Sequence, residues 1–123
     1  MGDAQLVRRS ATELAALIAT RQVSSREVVS AFLDRIEAVN PTINAITVVL
    51  AEQAIAAAEE ADRHAPSGRL HGVPITVKEN IDLFGTPTTS GVAAFAEAMP
   101  TADAPIVQRL RAAGAIPIGR TNL

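Results

Sequence analysis

The chain has 123 residues, a formal net charge of -2, and 48% hydrophobic residues, a balance that excludes disorder by composition. Eleven basic against thirteen acidic residues leave no basic stripe for a nucleic-acid surface, and the absence of cysteine excludes disulfides and cysteine-ligated metals. Aromatics make up 2%, so a core must be built from Ala, Val, Leu and Ile with three Phe as its only large anchors.

The length fits one small domain or part of a larger one. Arg8-Arg9 could open a twin-arginine signal. Glu13, however, interrupts the segment that would have to be apolar, and the apolar stretch from Leu14 to Ala19 is short and ends before Arg21. No apolar run approaches the roughly 20 residues of a membrane span. The chain is therefore read as cytoplasmic.

Ser10-Ala11-Thr12-Glu13 is a capping-box pattern, in which Ser10 accepts from the Glu13 amide and Glu13 reaches back. A helix from about Thr12 to Thr20 comes next, with Leu14, Leu17 and Ile18 on one face. Ser24-Ser25-Arg26-Glu27 repeats the pattern. The second helix carries Val28, Val29, Phe32, Leu33, Ile36 and Val39 at helical spacing, and Asn40-Pro41 is expected to stop it. Ile43 to Leu50, rich in β-branched residues, reads as a strand. Ala51 to Arg63 reads as a helix, and Ala65-Pro66-Ser67-Gly68 as a loop.

Val73 to Lys78 is the next strand. Ile81 to Pro100 is broken by Gly85, Pro87, Gly91 and Pro100 into mostly irregular chain. A helix starts near Ala104, with Asp103 placed for capping and Pro105 in its first turn, and Gly114 suits its C-terminal end. Ala115 to Gly119 is a last short strand. Strand, connection, helix and strand in that order imply a right-handed crossover and parallel pairing.

Lys78 closes an apolar β run at the strand's C-terminal end, where open α/β sheets place their sites. Desolvation there would favour a neutral amine that can act as a base; the ordinary alternative is a surface lysine ending a strand. The loop Thr86-Pro87-Thr88-Thr89-Ser90-Gly91 either lines a polar pocket or is simply a turn. Glu79 and Asp82 either orient Lys78 or solvate the loop. His64 and His71 have no third ligand at metal-site spacing and read as solvated loop residues. Asp82-Leu83-Phe84-Gly85 lacks every companion of a kinase site.

Leu70-His71-Gly72-Val73-Pro74-Ile75-Thr76-Val77-Lys78-Glu79-Asn80 resembles the first block of the amidase signature family. Thr88-Thr89-Ser90-Gly91 is similar to the turn after that block in the family. Ala104 to Ala115 and Ile118-Gly119-Arg120-Thr121-Asn122 resemble the next helix and strand. Glu13-Leu14 and Ser25-Arg26-Glu27 resemble the family's opening helices. The resemblance covers nearly the whole chain, in the family's order. Arg120 stands where Lys is common, and Val92 where many members have Ser.

The resemblance implies the N-terminal part of an α/β/α fold with a mixed, partly parallel sheet covered by helices. Residues 1–41 would form a helical extension, and residues 42–123 the start of the sheet core, within one larger amidase domain. It also implies a Ser–cis-Ser–Lys triad hydrolysing carboxamides, with Lys78 as the base. None of Ser10, Ser24, Ser25, Ser30, Ser67 and Ser90 lies in the Gly-Gly-Ser-Ser-Gly-Gly context of the family's serines. These residues alone are therefore expected to be inactive. The expected substrate is a small-molecule amide, with no cofactor, no metal, no direct nucleic-acid contact, no membrane contact, and a homodimer or other self-association. The alternatives are an amidase subunit of a tRNA-dependent amidotransferase and a non-catalytic truncated or interaction module.

Overall fold

The computed structural model describes all residues, 1–123. Five helices run α1 (Asp3–Leu6), α2 (Ala11–Ala19), α3 (Ser25–Ile43), α4 (Ala51–Arg63) and α5 (Pro105–Ala112). Three strands, β1 (Ile46–Val49), β2 (Pro74–Lys78) and β3 (Ile116–Thr121), form one sheet in the order β1-β3-β2. β2 pairs with β3 in parallel and β1 with β3 antiparallel. The parallel pairing agrees with the strand–helix–strand order read from the sequence.

Both capping boxes form. The Glu13 amide donates to Ser10 Oγ at 3.2 Å and the Ser10 amide to Glu13 Oε2 at 2.7 Å; the Glu27 and Ser24 pair repeats this at 3.0 and 2.7 Å. These bonds satisfy first-turn amides that a helix leaves without partners. Each carboxylate is stabilised as the anion, so the backbone bond to Ser10 and then its hydroxyl pull Glu13 below the ordinary carboxylate value, and Ser24 does the same to Glu27. α4 keeps the predicted bounds.

Several boundaries differ from the sequence reading. α3 does not stop at Asn40-Pro41 but runs on to Ile43, with Pro41 inside its last turn and Asn44 closing it at φ 48°. Asn40 instead clamps the start of β1: its Nδ2 donates to Ile46 O at 2.8 Å, and its Oδ1 accepts from the Ile46 amide at 2.8 Å. The strand thus begins three residues later than its β-branched composition suggests. Asp103 does not cap α5, whose first flanking residue is Ala104; its carboxylate accepts from the Phe84 amide at 2.8 Å and pairs with Arg111 at 2.9 Å. α1 has no counterpart in the sequence reading, because one turn is too short to show a period, yet it buries Leu6 to 1% exposure. Gly114 does close α5, at φ 98°, and a Cβ there would lie 2.5 Å from the His71 Cα.

The core falls into three apolar clusters. Leu6, Leu14, Ile18, Val28 and Val73 join the first three helices to the chain entering β2. Val29 of α3, Ala54 and Ala58 of α4, and Ile116 and Ile118 of β3 cover one side of the sheet. Leu50, Val77, Leu83 and Val107 bring β2, the loop after it and α5 together. Where α4 ends, Asp62 accepts from the Ser25 and Arg26 amides at 2.7 and 3.0 Å, so the end of one helix caps the start of another. No helix is long and apolar enough to cross a membrane.

Candidate active site

The site is built at the C-terminal end of β2. The β2–β3 pairing carries Lys78 opposite Thr121, and the Glu79 amide adds one more rung by donating to Thr121 O at 3.0 Å. Lys78 is exposed, and its amine makes no hydrogen bond or ion pair within the chain. Strand alternation explains the exposure: Val77 points into the core at 4% exposure, so Lys78 points away from it.

The residues after Lys78 are held by Arg120. Its side chain is fully buried, at 0% exposure. Nε donates to Val77 O at 3.3 Å, Nη2 to Lys78 O at 3.1 Å and to Ile81 O at 2.6 Å. Nη1 donates to Pro87 O at 3.2 Å and to the Thr86 hydroxyl. One guanidinium therefore gathers the strand end and both ends of the loop 81–87. Burial pushes its pKa down from the ordinary value, while the charges of Glu79 and Asp82 push it back up. Guanidinium remains charged under such shifts.

Two register shifts aim these groups. Between Ile75–Pro117 and Thr76–Gly119 one residue of β3, Ile118, is left over; between Ile46–Thr121 and Val48–Arg120 one residue of β1, Thr47, is left over. An extra residue in one strand re-aims the side chains beyond it. Ile118 packs with α4 while Arg120 turns into the loop. Thr47 Oγ1 reaches Glu79 Oε1 at 2.8 Å and Arg120 O at 3.4 Å. Gly119 is required between them, since a Cβ there would lie 2.9 Å from both Val48 O and Ile46 Cγ2.

Glu79 and Asp82 do not orient Lys78. Glu79 is buried at 6% exposure and takes the Thr47 hydroxyl, which corrects the alternative that it solvates the loop. Asp82 accepts from the Thr88 hydroxyl at 2.6 Å. The Thr-rich loop spends its hydroxyls on itself: Thr86 donates to Leu83 O at 3.0 Å, and Thr89 Oγ1 accepts from the Gly91 amide at 3.2 Å. Ser90 sits at φ 49°, its amide on Glu79 O at 3.2 Å. The two histidines are held apart by different partners. His64 Nε2 lies 2.6 Å from Glu60 Oε1. His71 Nδ1 accepts from the Ser67 amide at 3.3 Å, which makes its Nε2, 2.9 Å from Ala61 O, the protonated nitrogen.

In the sequence, Arg120 stands out only as an exchange for Lys. A signal for more is present, since an arginine directly after Ile116-Pro117-Ile118-Gly119 continues a buried strand past Gly119, where composition alone ends it.

A mixed sheet covered by helices, with a lysine at the end of its parallel pair, defines the opening of an α/β fold. The Amidase family model matches residues 27–123, and the chain belongs to the amidase signature family. It is 47% identical over 117 residues to an indoleacetamide hydrolase of Bradyrhizobium diazoefficiens, covering 92% of this chain and 22% of that protein. It is 43% identical over 122 residues to a glutamyl-tRNA(Gln) amidotransferase subunit of Acidothermus cellulolyticus, covering 96% of this chain and 24% of that one. Among solved structures, the peptide amidase of Stenotrophomonas maltophilia superposes with a TM-score of 0.85 at 32% identity, over 94% of this chain and 25% of that chain. A fatty acid amide hydrolase superposes at 0.90 and 30% identity, over 97% and 22%. The chain thus spans about a quarter of the length of the relatives it matches.

Proposed function

We propose that the protein carrying this chain hydrolyses a carboxamide C–N bond by acyl transfer, with Lys78 as its base. One observation carries the reading: the family's first block folds as β2 and delivers an exposed, unpartnered Lys78 amine to the end of a parallel strand pair. As the base, the Lys78 amine takes the proton of a bridging serine, which takes that of a second serine as it attacks the amide carbon. The amine product leaves with a proton returned along the same path, and water then hydrolyses the acyl-enzyme. Neither serine is one of the six in these residues, so these 123 residues alone are expected to give no turnover. No cofactor enters the scheme, the substrate is a small-molecule amide, and the compartment is the cytoplasm.

The test is the complete protein assayed on indoleacetamide and p-nitroacetanilide, native against Lys78→Ala. Loss of the base is expected to lower kcat/KM by about 10³-fold or more with the fold retained. A variant within about tenfold of native would refute the assignment. The 43% identity to an amidotransferase subunit favours a second reading, in which the same chemistry works on glutamine beside partner subunits. Glutamine-dependent activity that arises only with those subunits, and none on free amides, would select it.

In isolation the 123 residues are expected to self-associate. β1 and β2 are both sheet edges, and Phe84, Phe95, Met99, Ile106 and Leu123 are about half exposed or more. Sedimentation that stays monomeric across concentration would contradict this.

A further inference from the structure

We propose that Arg120 is the positioning residue for Lys78, holding the end of β2 and the loop after it in one geometry through a fan of hydrogen bonds to main-chain carbonyls; this rests on the reading of Lys78 as the base. The fan reaches Val77 O, Lys78 O, Ile81 O, Pro87 O and the Thr86 hydroxyl from a single planar group. Lys78 is thereby fixed by its own carbonyl and by the one before it. The Lys78 carbonyl also accepts from the Ile81 amide at 3.0 Å, so two donors converge on it. On the other side, Thr47 holds the Glu79 carboxylate. The backbone on both flanks of Lys78 is tied down, while the side chain itself is free to reach toward substrate.

The chemistry of the donors makes this a specific arrangement. A fully buried cation costs desolvation, and no carboxylate pairs with Arg120 directly. An apolar side chain could fill the space, but it could not bind five acceptors spread over the eleven residues from Val77 to Pro87. Lysine offers three donors from one point, arginine five in a rigid fork. Catalysis depends on such geometry, since a displacement of about 1 Å can cost about 10²-fold in rate.

The test uses the complete protein on the same two amides, with Arg120→Met, Arg120→Lys and Thr86→Val. Arg120→Met is expected to lower kcat by about 10²-fold with KM within about threefold of native, and Arg120→Lys to recover to within about tenfold. Thr86→Val, which removes one acceptor, is expected to lower kcat about threefold. Amide hydrogen exchange needs no substrate. In Arg120→Met it is expected to rise at Ile81, Thr86 and Ser90 while the amides of α4 are unchanged. A folded Arg120→Met with native kcat, a loss confined to KM, or exchange that rises equally in α4 would overturn the proposal. Where Arg120→Met fails to fold, native kcat and native loop exchange in both other variants overturn it. The two ideas fail separately. An active Lys78→Ala refutes the base assignment, and an inactive Lys78→Ala beside a native-like Arg120→Met refutes only the positioning role.

Discussion

The helical N-terminal region and the strand ends around Lys78 are built on opposite principles. In α2 and α3 each helix start is secured by residues three apart in sequence, Ser10 with Glu13 and Ser24 with Glu27. Around Lys78 the organising group is Arg120, reaching segments 33 to 43 residues away. Local capping spreads stability over many small contributions. The strand end concentrates it in one buried side chain. The lesson is that a strand end can owe its order to a residue that is remote in sequence.

That contrast can be broken by substitution. Arg120→Met leaves several buried acceptors without donors, and is expected to cost on the order of 3 kcal/mol or more in urea unfolding of the protein. A loss below about 1 kcal/mol would mean that the fan is not what orders the loop. Asp62→Ala removes the one long-range cap of the helical region, leaving the Ser25 and Arg26 amides to water, and is expected to cost about 1 kcal/mol in the same measurement.

The acid limb of stability sharpens the local side. Glu13 and Glu27 are held below their ordinary 4.5 in the folded chain, so their contribution is present above pH 4.5 and is lost as pH falls through the lowered values. Glu27→Gln is expected to flatten that decline in an acid titration monitored by circular dichroism, and an unchanged acid limb would remove the capping carboxylate from the account. Smallest is Lys78→Ala. Its exposed amine has no partner, so unfolding is expected to shift by less than about 0.5 kcal/mol. Large destabilisation there would show that Lys78 is structural after all.

The sequence shows the helices well because their signals are local. Ser10 and Glu13 mark a start, and Gly114 marks an end, whatever the rest of the chain does. It also singles out Lys78 as a candidate, through position in a strand and through the ordered family blocks around it. It misjudges Pro41, because the turn after it is closed by Asn44, whose amide donates to Asn40 O at 2.7 Å from a left-handed conformation at φ 48°. It misassigns Asp103, because a carboxylate one residue before the flank of a proline-started helix has a nearer use in the Phe84 amide and Arg111.

Periodicity and caps therefore decide where the chain is helical or extended, and the strand–helix–strand order decides that β2 and β3 run in parallel. Only the tertiary structure decides that β3 lies between β1 and β2, that Thr47 and Ile118 are the residues left over in the ladders, and that Arg120 turns inward to hold the backbone of Lys78. The reason is physical. A buried guanidinium is specified by the carbonyls that converge on it, and these come together only when segments far apart in sequence are packed against one another.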